Sequence, residues 1–263
     1  MPSGGFFHNL NAELKSGDGN RAVGELAFRA CIIDGLTVAN RAHLRVWTRD
    51  FSAQTMIAEF ARFLTAAPLS EGEGRFQQLT VQAVDPTESP VAEWDLKDGI
   101  FAPAEVAALA AQNINEDTAY IVEAQWDLWS FDIETMKWSN GPQSLELLCQ
   151  GPAYDEGIAA ATGHFVADLG FEHFFTGHAG LLAPGTAANP FESSDHPIER
   201  TFRNWMAGAD NLKQYHQKTR QNIQKLFGWV EAVEATLPVE RSELSSEGEE
   251  NFEARLDAIL AQR

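Results

Sequence analysis

The chain of 263 residues, 44% of them hydrophobic and 10% aromatic, is long enough to bury a sizeable core. Its composition is that of a globular protein and excludes a disordered chain. Because 38 acidic residues against 19 basic ones give a formal net charge of −19, the chain repels phosphate backbones, and we expect no nucleic-acid partner. A small polar or cationic ligand, or another protein, is the expected partner.

The sequence contains no glycine-rich phosphate loop, no GxSxG, no HExxH and no clustered cysteines. Cys31 and Cys149 are the only cysteines, and isolated cysteines in a chain of this length are typical of buried thiols in a reducing compartment. We therefore expect no cofactor, no resident metal and a cytoplasmic location. The N-terminal MPSGGFFHNL is unlike a signal peptide, and no apolar run reaches the roughly 18 residues of a membrane span.

The first 150 residues contain alternating and helical patterns in turn. Residues 1–24 are rich in Gly, Asn and Ser and are predicted to be loosely ordered, and the apolar run 25–33 fits either a short helix or a buried strand. Alternation predicts strands over 42–48, 76–84, 91–96, 118–133 and 137–150. Apolar residues at helical spacing, with suitable first residues, predict helices from Ser52 to Pro68 and from Pro103 to Ala111.

The order of these elements indicates the fold class. From residue 42 to 133 it is strand, helix, strand, strand, helix, strand, which predicts an α+β fold of the ferredoxin-like (βαββαβ) class, an antiparallel sandwich. A further βαβ segment extends this fold. It consists of the strand over 137–150, a helix that begins at Asp155, buries Phe165 and Leu169 and stops at Gly170, and a strand over 171–176. Two related halves, each with a helix across a small sheet, are the open alternative.

The C-terminal part is predicted to be a separate helical arm. Residues 182–199, rich in Pro, Gly, Ala and Ser, are predicted to link a sandwich domain over 1–181 to the arm over 200–263. From Phe202 to Val230 apolar residues recur at alternating steps of three and four, which predicts one long helix. We call this row of apolar residues the seam, and it packs either on the chain's own sheet or on a second chain in a homodimer. Residues 240–250 are predicted to be a solvated acidic loop before a short final helix.

The candidate site is a sheet face. If the aliphatic side chains of the strands face the helices, the other face gathers carboxylates, amides and tryptophans, among them His43, Gln78 and Glu146. Such a face could bind a small polar or cationic ligand, so the leading hypothesis is a binding or protein-interaction module that acts through this face, the C-terminal helix or both, with no catalytic residue assigned. The candidate ligand-binding residues are Trp47, Glu93, Asp95, Gln125, Asp127 and Trp129.

The alternative hypothesis is a metal- or carboxylate-dependent hydrolase. His164, His173 and His178 lie within fifteen positions, and imidazoles can ligate a divalent metal or transfer protons. Two carboxylates held close together can act as a general acid and a general base. The carboxylates available for that role are Glu93, Asp95 and Asp127.

Overall fold

The computed structural model describes residues 40–84, 89–178 and 197–261, except for the side chains of Ile198, Glu199 and Arg203. The described residues belong to one compact unit. The segment 1–24, the run 25–33 with Cys31, and most of the linker 182–199 lie outside the described residues. The predicted division of the chain at that linker therefore stays a prediction.

The described residues form a mixed α+β fold, which confirms the class predicted from the sequence. The strands are β1 (Arg41–Thr48), β2 (Phe76–Gln82), β3 (Ala92–Asp95), β4 (Ala119–Asp132), β5 (Lys137–Gln150), β6 (Phe165–Phe171) and β7 (Val239–Ser246). The helices are α1 (Met56–Ala66), α2 (Pro103–Ala110), α3 (Ala159–Thr162), α4 (His173–Thr176), α5 (Pro197–Met206), α6 (Ala209–Thr236) and α7 (Phe252–Ala261). The strands form one open antiparallel sheet of seven strands in the order β3-β2-β4-β5-β6-β1-β7.

The ferredoxin-like arrangement is not confirmed. The chain order from β1 to β4 does follow βαββαβ, and in such a unit the four strands are expected to lie next to one another, with no other strand between them. Here β5 and β6 separate β1 from β4. The long hairpin of β4 and β5 occupies the centre of the sheet, and β1 pairs with the later strands β6 and β7.

The β4–β5 hairpin sets the register at the centre of the sheet. Its residue pairs run without a break along both strands to Asp132 opposite Lys137. In the turn the Asp132 carboxylate accepts the backbone N–H of Glu134 at 2.8 Å and the hydroxyl of Thr135 at 2.7 Å. These bonds lower the pKa of Asp132 and fix the turn, and in a hairpin the turn fixes the register.

One face of the sheet is aliphatic and packs against the helices. The register aligns one apolar residue from each strand in a row, and α1, α2, α6 and α7 bury their own apolar side chains in the same core. Burying each large apolar side chain stabilises the fold by about 1.5–3 kcal/mol. From β7 to β3 the row consists of Leu244, Leu44, Ala167, Leu147, Val122, Leu79 and Trp94.

The segment after β5 folds differently from the prediction. The sequence predicted a helix that buries Phe165 and Leu169 and a strand over 171–176, but the two residues lie in β6, and residues 173–176 form α4. Both predictions are wrong. Residues four positions apart share one face of a strand as well as one face of a helix, so this pair fits either period. Ala167 between them is also fully buried, as alternation requires.

Gly170 lies in a bulge of β6 rather than at the end of a helix. Arg41 pairs with Phe171 and His43 pairs with Asp168, so β6 has one residue more than β1 between these pairs. Gly170 has a φ of +85°, a left-handed conformation that glycine adopts without strain. Its N–H donates to the Asp168 carboxylate at 2.9 Å, which orients that side chain.

The C-terminal segment contributes a strand to the sheet. The sequence predicted a solvated loop over 240–250, but residues Val239–Ser246 form β7 and pair with β1, so that prediction is wrong. An edge strand needs few apolar side chains, and Leu244 is the one buried residue in β7. The alternation was therefore too weak to distinguish this strand from an acidic loop.

The predicted long helix is present as α5 and α6, with a break at Ala207 and Gly208. The predicted seam is correct in part: Phe202 and Leu226 are buried, whereas Leu212 is 39% exposed. The apolar residues that α6 buries belong to this chain's own core. The buried residues of α6 are Tyr215, Thr219, Asn222, Ile223, Leu226, Trp229 and Val233.

Asn222 holds the far end of β4 in place. β2 ends opposite Ala124, so beyond that pair the outer edge of β4 has no strand neighbour among the described residues. The Asn222 side chain replaces the missing strand: Oδ1 accepts the Trp129 N–H at 2.9 Å, and Nδ2 donates to the Trp129 carbonyl at 2.8 Å. Nδ2 also donates to the Phe174 carbonyl at 2.9 Å, so one amide links β4, α4 and α6.

Replacing Asn222 with Ala leaves these three backbone groups without their partner. We expect the free energy of unfolding to fall by about 3 kcal/mol, because each buried, unsatisfied polar group costs about 1–3 kcal/mol. Urea denaturation followed by tryptophan fluorescence measures the change. Gln221→Ala, at the exposed neighbouring position, is the control and should change stability by less than about 0.5 kcal/mol. Equal effects of the two substitutions would contradict this role of Asn222.

Candidate functional site

The face opposite the aliphatic row carries three carboxyl groups at its centre. Glu123 of β4 lies directly opposite Glu146 of β5, and Glu146 lies directly opposite Asp168 of β6. The Cβ atoms of directly opposite residues are about 4.5–5.5 Å apart. We call Glu123, Glu146 and Asp168 the acid row. The register continues it with His43 and Ser245 on one side and with Gln78 and Asp95 on the other.

Glu146 is the central group of the acid row. Burial, and after it the negative charges of Asp168 and Glu123, raise the pKa of Glu146 from its ordinary value of 4.5 to about 7. The Arg41 guanidinium acts in the opposite direction, with a smaller effect. Near neutral pH both the protonated and the ionised form of Glu146 are therefore populated.

The outer members of the acid row differ in how far their charge is compensated. Asp168 is buried and accepts Nε of Arg41 at 2.5 Å in an ion pair. Glu123 is exposed and has no ion-pair partner among the described residues. The acid row thus combines a compensated carboxylate, a carboxyl that titrates near neutral pH and an uncompensated carboxylate.

His43 ends the acid row on the side of β1. Burial lowers the pKa of His43; the charge of Asp168 opposes this shift, and Arg45 adds to it. A neutral imidazole can donate or accept one hydrogen bond but brings no positive charge. His43 therefore does not neutralise the carboxylates of the acid row.

Trp47, a predicted ligand-binding residue, is covered by this chain and is only 6% exposed. Its Nε1 donates to the carbonyl of Ala160 in α3 at 3.0 Å. The guanidinium of Arg241 lies 3.6 Å from the centre of its ring. Both the polar atom and one ring face of Trp47 already have partners, so it is placed as a packed aromatic.

Glu93 and Asp95 lie on β3, at one edge of the sheet, and both are exposed. Asp95 accepts the backbone N–H of Lys97 at 3.1 Å. Five strand spacings separate β3 from β1, which is about 24 Å. Glu93 and Trp47 therefore cannot contact one small ligand.

The remaining candidates follow Glu123 along β4. Gln125 lies nearest to the acid row and is half-buried. Asp127 accepts the hydroxyl of Ser70 at 2.8 Å, and the Trp129 ring centre lies 3.1 Å from Nζ of Lys218. The side chains of Asp127 and Trp129 are therefore occupied by contacts within the chain, and Gln125 remains beside the acid row.

The carboxylates of the hydrolase hypothesis are not brought together. Asp95 is in register with Glu123 two strand spacings away, and Asp127 lies four residues farther along β4. These spacings put Asp95 and Asp127 about 16 Å apart. A pair of catalytic carboxyl groups is at most about 10 Å apart, so Asp127 does not form such a pair with Asp95.

His164 lies apart from the other two histidines, and two of the three differ from their predicted positions. His164 precedes β6 instead of lying on a helix, and its Nδ1 accepts the Thr48 N–H at 3.0 Å. His173 begins α4 instead of lying within a strand, and its ring centre lies 4.5 Å from that of His178. Among the described residues no group of three His, Cys, Asp or Glu side chains could hold a metal ion.

The His173–His178 pair is buried against aromatic side chains. Burial lowers the pKa of His173 to about 3 and that of His178 to about 4. Nδ1 of His178 lies 2.5 Å from the Tyr215 hydroxyl, which also accepts the backbone N–H of His178 at 2.9 Å. Two neutral imidazoles with such contacts are typical of structural histidines.

Sequence reasoning found only part of the acid row. It placed Glu146 on the polar face but singled out neither Glu123 nor Asp168. Alternation along β4 was a sufficient signal for Glu123, because this residue shares a face with Gln125. Asp168 was hidden inside a segment predicted to be helical, so its place opposite Glu146 required the register of β6.

Comparison with protein-family models, curated proteins and solved structures gives no match for this chain. The site must therefore be interpreted from its own geometry. None of the described helices is both long enough and apolar enough to cross a membrane.

Replacing Glu146 with Gln should stabilise the protein at pH 8 and leave it unchanged near pH 4. Since the folded pKa is raised, the folded state binds more protons than the unfolded state between pH 4.5 and about 7, and stability falls as pH rises through this range. The shift corresponds to at most about 3 kcal/mol, and solvent screening reduces the expected gain to about 1–2 kcal/mol. Urea denaturation at pH 4, 6 and 8 measures it, and a gain independent of pH would contradict this assignment.

The histidine pair should give the opposite pH dependence. Because the pKa of His173 is lowered in the folded state, stability is lost as pH falls from 6.5 towards about 3. Between pH 7 and pH 4, we expect the free energy of unfolding of the His173→Phe variant to fall by about 2 kcal/mol less than that of the parent chain. Thermal denaturation across this range measures the difference, and parallel curves for the two proteins would show that His173 is protonated in the fold.

Proposed function

We propose that this chain is a non-enzymatic binding module that holds a cationic group on the open sheet face, over the acid row. The ligand class is an amine or guanidinium group, carried by a small molecule or by a basic segment of a protein. The observation that carries the proposal is the direct cross-strand register of Glu123, Glu146 and Asp168. No step of catalysis is assigned to these residues.

The energetics of the acid row support a cationic ligand. Like charges directly opposite each other on neighbouring strands destabilise a sheet, and among the described residues Asp168 is the member of the acid row that forms an ion pair, with Arg41. A cation placed between Glu123 and Glu146 would remove this repulsion and would favour the ionised form of Glu146. The free energy that the fold loses at this position then becomes binding free energy for a positively charged partner.

The exposure of Glu123 also supports binding at the surface, with Glu146 half-buried and Asp168 buried beside it. Helices α1, α2, α6 and α7 pack on the aliphatic face, whereas Glu123 remains exposed. The long helix α6 of the C-terminal part is a weaker candidate for the binding surface, because its apolar residues are buried in this chain's own core. The binding function is therefore assigned to the open face alone.

The cytoplasm is the compartment that we propose for this module. Cys149 is fully buried, and burial raises the pKa of its thiol well above the ordinary value. Such a thiol is protonated and unreactive, which fits a packing role in a reducing compartment. The proposal rests on this cysteine and on the absence of a disulfide framework in the sequence.

The double substitution Glu123→Gln and Glu146→Gln tests the proposal. Isothermal titration calorimetry at pH 7.5 and low salt would measure binding of spermidine and of an oligolysine peptide. We expect the parent chain to bind at least one of them, and the double variant to bind it about tenfold or more weakly, since two charge contacts are lost. Binding of the peptide alone would favour a protein partner over a small amine.

The matched control is Glu116→Gln with Asp117→Asn. These two acidic residues are exposed in the loop before β4, so the control removes the same charge from a different place. It should bind like the parent chain. If the control loses as much affinity as the acid-row variant, the general negative charge of the chain attracts the cation, and the proposal is wrong.

A further inference from the structure

The strand β7 forms one edge of the sheet, and half of its backbone groups point outward. Glu247 donates its N–H to the Arg41 carbonyl at 3.1 Å, so its backbone groups point towards β1, and the register with β1 runs without a bulge from Ser246 to Arg241. Backbone groups alternate in direction along a strand, which turns the N–H and C=O of Ser242 and Leu244 to the outer edge. Among the described residues β7 has no second strand neighbour.

Charges of opposite sign lie on this edge at self-complementary positions. Arg241 and Glu243 flank Ser242, and their side chains share one face of the sheet with Arg45 and Trp47, which lie opposite them on β1. Arg241 is exposed and stacks over Trp47. Glu243 lies 3.3 Å from Arg45 and is partly exposed.

We propose that β7 pairs with β7 of a second copy of this chain, antiparallel and centred on Ser242, in a homodimer with one continuous sheet. In this register the Ser242 backbone groups of the two copies bond to each other, and Arg241 of each copy lies opposite Glu243 of the other. The row across the interface then runs from Arg45 through Glu243 to the partner's Arg241. Each opposite-charge pair between neighbouring strands stabilises the pairing.

The charges select this register over its neighbours. A centre on Arg241 or on Glu243 would place that residue opposite its own copy, and like charges directly opposite repel each other. A centre on Leu244 would oppose Arg241 to Glu247, which lies beyond the end of β7 and already accepts the Arg41 N–H at 3.0 Å. Only the centre on Ser242 forms two opposite-charge pairs within the strand.

The other edge of the sheet shows what an edge that repels a second copy looks like. Charged side chains on edge strands commonly prevent pairing between molecules. On β3 these are Glu93 and Asp95, which have the same sign, and the strand has four residues. On β7, with eight residues, the charges alternate in sign and match a second copy instead.

Analytical ultracentrifugation of four chains tests the dimer. The parent chain should be a dimer at high concentration, and Arg241→Glu or Glu243→Arg alone should each weaken dimerisation about thirtyfold, because each turns two attractive pairs into repulsive ones. The double substitution Arg241→Glu with Glu243→Arg restores opposite pairs and should restore the dimer. A 1:1 mixture of the two single variants should form a heterodimer, which would also show that both variants fold.

Glu253→Arg, at an exposed position of α7, is the control for the change in charge and should remain a dimer. Ser242→Pro removes an outward N–H, together with the hydroxyl that donates to Glu234 at 2.9 Å, and should yield a monomer. A monomeric parent chain would overturn the proposal. A dimer that survives the single charge reversals, or one that the mixture fails to restore, would overturn it as well by placing the interface elsewhere.

Discussion

The register of the β4–β5 hairpin is the constraint on which the rest of the structure depends. A slip of β4 by one residue would turn Trp126 and Leu128 to the opposite face and would bring Glu123 into the core. Burial of the aliphatic row prevents this slip from one side, and the Asp132 turn prevents it from the end of the hairpin. The same register that buries the core therefore aligns the acid row.

Alternation and helical spacing of apolar residues were sufficient to identify a strand or a helix where one face of that element is buried. They identified β1, β2, β4, β5 and α1, because burial imposes a period on the sequence. They failed at Phe165 and Leu169, whose spacing fits two periods, and at β7, where an edge strand buries only Leu244. Tertiary pairing decided both cases, and a single segment does not contain that information.

The candidate site was harder to predict than the fold for a related reason. Glu123, Glu146 and Asp168 are far apart in the sequence and become neighbours only through the pairing of three strands. Asp168 also depends on the bulge at Gly170, whose N–H orients the carboxylate. The predicted residues on β3 and β1 have the right chemistry, but the width of the sheet separates them.

The unequal edges of the sheet limit how far the chain can assemble. The proposed pairing of β7 with its own copy would be isologous, so it would satisfy both edges that take part and, among the described strands, leave β3 at each end. Because β3 is short and carries Glu93 and Asp95, a further molecule would meet like charges there. A sheet that forms a dimer through β7 is therefore protected at its β3 edges against growth into a cross-β fibre.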